Sequence, residues 1–440
     1  MKVKAVDYAH DGRGVVKTGK DLIFVPNLMI GEEADIEITI KKSNYNIGEV
    51  KTYLSLSKDR VTPPCVYYQQ CGGCQLQHMH YEHQLQMKHK RVSDALNHIA
   101  KLYVPVQPVV SSASPLLYRN KIQMAFANSK DGLIAGFYEA KTKKVLDIKT
   151  CLIEHEDGNE VIQTLKTLLD SYHVKAYDPV TKKGWIKHAV VKKGIETKEL
   201  MLIIISQEPG FKKESQVISA LRSNHSNIKT IIHQVNPSIY KVIGDTDRVI
   251  YGEGFIHDQL GEFTFKIRPQ SFYQVNPPQA KKLYDIALDL AHITKNETVL
   301  DAYSGVGTIS LFAARKAKHV TGVEVISDAV SDATYNATLN HIENVDFVCS
   351  EVESFMLENK KHFDVVIVDP PRDGLQSSFI EAVMEMKPKK MVYISCEPSS
   401  LARDLKQLKT LFNVKKVVPV DMFSQTYHVE TITLLSLKTA

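Results

Sequence analysis

From about Pro269 onward, short apolar segments recur between helical ones, and this pattern constrains the chain more than any other feature. The helical stretch PPQAKKLYDIALDLA precedes ETVLDAYSGVGTISLFAARKA. After these come HVTGVEV, NVDFVCS, FDVVIVDPP, KKMVYISCEP, KKVVPVDMF and TITLLSLK. Apolar runs of strand length alternating with helices specify a parallel sheet wrapped by helices. Its crossovers are right-handed, and its ligands belong at the carboxyl ends of the strands. Residues 269–440 are therefore expected to form a Rossmann-like α/β domain.

With 440 residues the chain has room for two or three domains. Residues 1–58 alternate apolar and polar positions in DLIFVPNL, EADIEITIKK and YNIGEVKTYLSL, with Gly and Asn between the runs. That reads as a small antiparallel, OB-like β-barrel, an architecture often used to bind oligonucleotides. Residues 59–268 hold a cysteine cluster, the helical stretch YEHQLQMKHKRVSDALNHIA, and mixed segments such as ELMLIIISQ and TIIHQVN, which make a central α/β domain. The net charge of +5, from 55 Lys and Arg against 50 Asp and Glu, is compatible with nucleic acid and equally with an ordinary enzyme. No apolar run is long enough to span a bilayer, and MKVKAVDYAHDGRG lacks the apolar core of a signal peptide. A cytoplasmic, monomeric protein without membrane contact is expected.

Four motifs fall at strand ends. In DAYSGVGTIS, residues 301–310, Gly305 and Gly307 permit a tight strand-to-helix turn that a ligand approaches closely. Glu324 ends the next strand about 20 residues on, where a carboxylate accepts both hydroxyls of a ribose. No third glycine follows, so a nucleoside without a pyrophosphate fits better than a dinucleotide, and S-adenosylmethionine is the expected ligand. In VIVDPPRDG, two prolines stop a strand and hold Asp369 in a rigid loop. In VYISCEPSSLARD, Cys396 ends the neighbouring strand just before a helix, whose N-terminus is expected to favour the thiolate. Cys349, also flanked by apolar residues, is read as a buried core thiol.

A cysteine beside a methyl-donor pocket points to pyrimidine chemistry. C5 of uracil is too weak a nucleophile to take a sulfonium methyl directly. Thiolate addition at C6 makes C5 nucleophilic, and a base must then remove the C5 proton. In DMFSQTYHVETITLL, Glu430 at the mouth of the last strand is the expected base, with His428 the alternative.

The remaining cysteines suggest a metal. CVYYQQCGGCQLQH supplies Cys65, Cys71 and Cys74 at gaps of five and two residues, and IKTCLIEH supplies Cys151 as a fourth. Four thiols suit an iron–sulfur cluster, with a structural zinc as the rival. The spacing differs from that of radical enzymes, so the cluster is expected to be structural.

Together, FYQVN (272–276), DAYSGVG (301–307), GVE (322–324), DPPR (369–372), SCEPSSLARD (395–404) and HVE (428–430) resemble the RNA uracil-C5 methyltransferase family, specifically its 23S ribosomal RNA branch. The resemblance covers nearly the whole chain. It implies a class I methyltransferase domain with donor contacts at Gln274, Tyr303, Glu324, Glu351 and Asp369. It implies Cys396 as nucleophile and Glu430 as base. It implies an N-terminal TRAM domain and a [4Fe–4S] cluster on Cys65, Cys71, Cys74 and Cys151. Tyr118, Arg119, Asn120 and Lys121 resemble an RNA-contacting segment, and Phe272 is a candidate for stacking on a flipped base, its alternative being a core aromatic. Because the transfer-RNA branch is taken to lack both barrel and cluster, 23S ribosomal RNA is the expected partner. The competing readings are a transfer-RNA uracil-C5 enzyme, an RNA cytosine-C5 enzyme, and a non-catalytic RNA-binding assembly factor.

Overall fold

In the computed structural model the chain is described over residues 1–238, 241–244, 246–359 and 362–438. The C-terminal strands form one seven-stranded sheet. From edge to edge it runs Val345–Cys349, His319–Glu324, Thr298–Ala302, Val365–Val368, Lys390–Ser395, Glu430–Leu437 and Phe412–Val420. The first five are parallel, and the last two pair antiparallel. Chain order reverses between Thr298–Ala302 and Val365–Val368, which opens a crevice at their carboxyl ends. All six strand segments expected after DAYSGVG are present.

Period-two alternation explains how the sheet is covered. Val299, Val320, Val365, Ile367, Val392 and Ile432 pack with the helix Pro277–Ala291 and the helix Thr308–Ala314 on one face. Leu300, Val323, Val366, Val368, Met391 and Tyr393 pack on the other with the helices Val352–Asn359, Ser377–Met386 and Pro398–Leu408. Asn276 starts Pro277–Ala291 by accepting the Gln279 amide, and the prolines at the first turn need no partner for their missing N–H.

The barrel is closed by the first eight residues. Lys2–Lys4 pairs with Glu33–Lys41 while Asp7–Tyr8 pairs with Gly14–Thr18, so one segment joins both ends of the six-stranded sheet. The expectation of a wholly antiparallel barrel is corrected by one pair: Asp21–Val25 runs parallel to Asn46–Ser55. The chain between them passes through Glu33–Lys41, and that intervening strand reverses the direction twice. In the central region, a second seven-stranded sheet is antiparallel apart from the pair Leu200–Ser206 and Ile228–Val235. Helices Glu156–Ser171 and Glu214–Asn224 cover one face. The other face merges through the hairpin Ile256–Leu260 and Phe263–Ile267 with the C-terminal core. No helix among the described residues is long and apolar enough to cross a membrane.

The helix Tyr81–Ala95, with the π-helical turn Leu96–Ala100, leaves the central region and packs on the C-terminal sheet through Val92, Leu96 and Ala100. Lys88 on this helix is fully buried against Asp421, with Nζ 2.5 Å from Oδ1 and 3.0 Å from the Phe423 carbonyl. The hydroxyls of Tyr81 and Ser424 donate to Asp421 Oδ2, each at 2.6 Å. Asp421→Ala leaves the Lys88 ammonium buried without its counter-ion and is expected to cost about 3–5 kcal/mol in urea denaturation. Combining Lys88→Met with Asp421→Asn removes both charges, keeps an acceptor for Tyr81, and is expected to recover much of that loss.

Candidate active site

The first strand, Thr298–Ala302, delivers its chain into a turn that holds three left-handed residues, Tyr303 (φ 66°), Gly305 (φ 54°) and Gly307 (φ 82°). A tyrosine in that region stores on the order of 1–3 kcal/mol of strain, of the kind found where function fixes the backbone. At Gly307 a Cβ would fall 2.8 Å from the Phe347 ring, so glycine is required by both angle and space. At Gly305 a Cβ would meet nothing within 4 Å, which leaves open space over the loop. The Gly305 amide donates to Glu324 Oε2 at 3.1 Å and the Ile326 amide to Oε1 at 3.0 Å. Glu324 is thereby aimed beside that space, each oxygen retaining a lone pair for an incoming hydroxyl.

Beneath the loop, Asp301 Oδ2 accepts the Ser310 hydroxyl at 2.5 Å, and Oδ1 is buried with no hydrogen-bond partner among the described residues. Burial raises the Asp301 carboxyl to about 7, against the pull of Ser310. The phenol of Tyr284 lies between the side chains of Thr308 and Gln274 and faces Asp369 and Asp301. Gln274 is fixed at its backbone, where its carbonyl accepts Asn120 Nδ2 at 3.1 Å. An open glycine loop, a carboxylate held ready at its rim and an orphaned buried oxygen below fit a nucleoside methyl donor.

Two neighbouring strand ends and the start of the antiparallel strand supply the reactive groups. Asp369 follows Val365–Val368, and Cys396 follows its parallel neighbour Lys390–Ser395. The ladder between Lys390–Ser395 and Glu430–Leu437 ends at the pair Ser395 and Thr431, so Cys396 and Glu430 flank its open end. Glu430 is 4% exposed. Burial raises its carboxyl well above the ordinary range, Asp369 adds to that, and Arg372 opposes it. Burial lifts Asp369 to about 7. Cys396 is pushed up to about 12 by burial, then by Glu430 and Asp369, with Arg372 again opposing. The expected helix-favoured thiolate is thus corrected: two carboxyls and burial outweigh the N-terminus of Pro398–Leu408. His428 is lowered to about 4, chiefly by burial and then by Arg372, whose Nη2 stands 3.5 Å from its Nε2.

Other expected site residues lie apart from this centre. Glu351 is exposed ahead of Val352–Asn359, and the acid that the Tyr303 hydroxyl meets is Glu353, at 3.3 Å. Cys65, Cys71, Cys74 and Cys151 line one cavity of about 230 Å³ together with Arg119, Glu154 and Thr426. Burial raises the thiols of Cys71, Cys74 and Cys151. Among the described residues no group of three or more His, Cys, Asp or Glu is gathered closely enough to hold a metal ion. Arg119 pairs with Glu154 at 3.0 Å on the wall of this cavity. Lys121 and Phe272 line a second cavity with Lys192 and Lys193, and Phe272 is 72% exposed, which excludes a core role. Cys349 is exposed rather than buried, because it ends an edge strand. Sequence reasoning passed over Tyr284 and Arg372. Tyr284 was hidden in the apolar stripe of its helix, and Arg372 belonged to a quoted motif without receiving a role.

The family model for tRNA (uracil-5-)-methyltransferase matches residues 80–438. This chain belongs to that family. An uncharacterized RNA methyltransferase of Halalkalibacterium halodurans is 40% identical over 100% of this chain and 97% of its own. One from Staphylococcus aureus is 40% identical over 98% of this chain and 97% of its own. The crystal structure of Pyrococcus abyssi tRNA (uracil-54, C5)-methyltransferase in complex with S-adenosyl-L-homocysteine superimposes with a TM-score of 0.81 at 28% identity. It covers 99% of this chain and 100% of its own. The protein is an S-adenosylmethionine-dependent RNA methyltransferase. Because that transfer-RNA enzyme matches essentially the entire chain, barrel included, the barrel does not separate a ribosomal from a transfer-RNA substrate.

A carboxyl raised in the folded state keeps its proton where the unfolded chain has lost it. The stability it confers is full below the unfolded value and is lost as pH rises toward the folded one. For Asp369 that window runs from 3.8 to about 7. Asp369→Asn is expected to lessen the fall in melting temperature across this window, as read by scanning fluorimetry. An unchanged slope would place the titrating group elsewhere.

Proposed function

We propose that this protein methylates C5 of a uracil in 23S ribosomal RNA, with Cys396 as nucleophile and Glu430 as base. The observation that carries the chemistry is the convergence of Cys396, Glu430 and Asp369 at one open ladder end, close enough to shift one another's proton affinity. Gln274, Tyr303, Glu324 and Asp369 surround the donor space, and Glu351 is the outlying member of that set. S-adenosylmethionine, when bound there, supplies an electrophilic methyl on a cationic sulfur. A cation beside Asp369 favours the ionised forms of all three acids, which is the relief that the Cys396 thiol needs.

The Cys396 thiol passes its proton to solvent, its sulfur bonds to C6 of the flipped uracil, and the C5–C6 electron pair moves into the ring enolate that makes C5 nucleophilic. Once C5 carries the methyl, Glu430 takes its remaining proton. The C–H electrons reform the C5–C6 double bond, and the sulfur leaves with its bonding pair. Glu430 suits this step better than His428. Its raised carboxyl is the stronger base, while His428 holds a proton only below about 4. Phe272 and Lys121 are the proposed RNA contacts: an exposed ring for stacking beside an ammonium group for phosphate. Arg119 acts at the wall of the cysteine cavity and through it. Cys65, Cys71, Cys74 and Cys151 are the proposed ligands of a [4Fe–4S] cluster, since all four face one cavity. Its role is structural, because this methyl transfer moves no net electron.

A second reading, methylation of transfer RNA, is favoured by the full-length match to the Pyrococcus abyssi enzyme. Mapping 5-methyluridine in ribosomal and transfer RNA, with and without the gene, decides between them. Loss from 23S ribosomal RNA alone is the expected result, loss from transfer RNA alone installs the second reading, and loss of 5-methylcytidine overturns the uracil assignment.

Cys396→Ala is expected to abolish product, a loss of at least about 10⁴-fold, since the whole addition step disappears. Binding of S-adenosylhomocysteine by calorimetry should stay within about twofold. Glu430→Gln is expected to accumulate a methylated, covalent protein–RNA adduct on denaturing gels. A fully active, adduct-free Glu430→Gln protein would remove Glu430 from the base role.

A further inference from the structure

Cys396 follows Ser395, the last residue of its strand in the ladder between the two strands, and Glu430 precedes the partner Thr431 while pairing with Val420 on its other side. No pair of that ladder therefore joins Cys396 to Glu430 directly. One side chain from another part of the chain spans both flanking segments. Arg91, on Tyr81–Ala95, donates from Nη2 to both carboxylate oxygens of Glu397 at 2.8 Å each, and from Nη1 to the Tyr427 carbonyl at 2.9 Å. Its guanidinium carbon also lies 5.4 Å from the centre of the Tyr427 ring. Glu397 is bonded directly to Cys396, and Tyr427 is three residues from Glu430.

The clamp is rigid at each end. The Arg91 side chain is 7% exposed and that of Glu397 24%. Glu397 also caps Pro398–Leu408, accepting from the Ser399 amide at 3.3 Å and its hydroxyl at 2.8 Å. Nη2 alone spans both carboxylate oxygens, which leaves Nη1 of the same planar group to reach a carbonyl at a fixed angle, an arrangement that the single ammonium of a lysine does not reproduce.

We propose that Arg91 is a positioning residue for the reaction: by tying the Glu397 carboxylate to the Tyr427 carbonyl it sets the separation of the Cys396 sulfur and the Glu430 carboxylate. This rests on the uracil-C5 reading above. Arg91 touches neither substrate nor donor in this role, and it acts through the two segments it joins.

The test uses the full-length protein and ribosomal RNA transcribed with 5-fluorouridine. With S-adenosylmethionine present, the methylated C5 carries fluorine and no proton to remove, so the sulfur–C6 bond persists and its rate of formation reports on Cys396 placement. Arg91→Gln is expected to slow adduct formation by roughly 10²-fold, the scale of a 1 Å misplacement of reacting groups, with S-adenosylhomocysteine affinity within about twofold. Glu397→Gln is expected to slow it as well. The double variant should be no slower than Arg91→Gln, because the two residues act as one unit. Arg91→Lys, which keeps charge and bulk, guards against a folding failure and should fall between wild type and Arg91→Gln. Adduct formation at the wild-type rate in Arg91→Gln and Arg91→Lys overturns the positioning role alone, as do multiplying losses in the double variant. No adduct with the wild-type protein, on this RNA or on transfer RNA transcribed in the same way, overturns the uracil reading and this inference with it.

Discussion

Lys88 and Asp421 bury opposite charges 2.5 Å apart with no exposure of either side chain, and the catalytic end of the molecule is organised around that contact. Burial lowers the proton affinity of Lys88, and Asp421 opposes that fall. Neither partner tolerates the loss of the other, so the helix Tyr81–Ala95 and the loop that begins at Asp421 are fixed together. The same helix face adds Gln84, whose amide exchanges hydrogen bonds with Gln425 at 3.0 and 3.2 Å. One turn on from Lys88 stands Arg91. From the other side the amides of Gln75 and Leu76, just past Cys74, both donate to the Gln425 carbonyl. The residues leading to Glu430 thus have little freedom, although most of them belong to no strand or helix.

That rigidity has a purpose in the charge arrangement it enforces. Cys396, Asp369 and Glu430 are three acids raised by burial, and Arg372 opposes the rise of Cys396 and Glu430. Left free, such groups would separate or recruit water. Held together, Cys396 and Glu430 both have their proton affinity raised, by burial first and by neighbouring acids next.

Much of this was legible in the chain. Strand-length apolar runs located every strand of the C-terminal sheet, and strand-terminating residues placed Asp369 and Cys396 side by side. Glu324 was found because the glycine loop and the next strand end have a fixed relation in such folds. Other parts were hidden for physical reasons. The proton affinity of Cys396 depends on Glu430 and Asp369, which are separated from it along the chain, whereas the local signal, a helix start, pointed the opposite way. Cys349 has the same apolar flanks as a core cysteine, and only its place on an edge strand exposes it. Arg91 carries no motif at all. Its partners are 306 and 336 residues away, and a lone arginine on an amphipathic helix reads as solvated surface.

The distribution of these features also bears on substrate choice. Cys396, Asp369 and Glu430, the groups proposed to act on the pyrimidine, sit at strand ends of the C-terminal sheet, so the proposed chemistry suits any RNA whose uracil reaches the crevice. What distinguishes one RNA from another must lie farther out, on the barrel, on the exposed ring of Phe272, and on the lysines beneath it. A TM-score of 0.81 at 28% identity is what such a division produces: a shared frame with freely changing outer contacts. Likeness of frame to a transfer-RNA enzyme is therefore compatible with a ribosomal substrate, and the choice of RNA is written in the side chains that the frame leaves free.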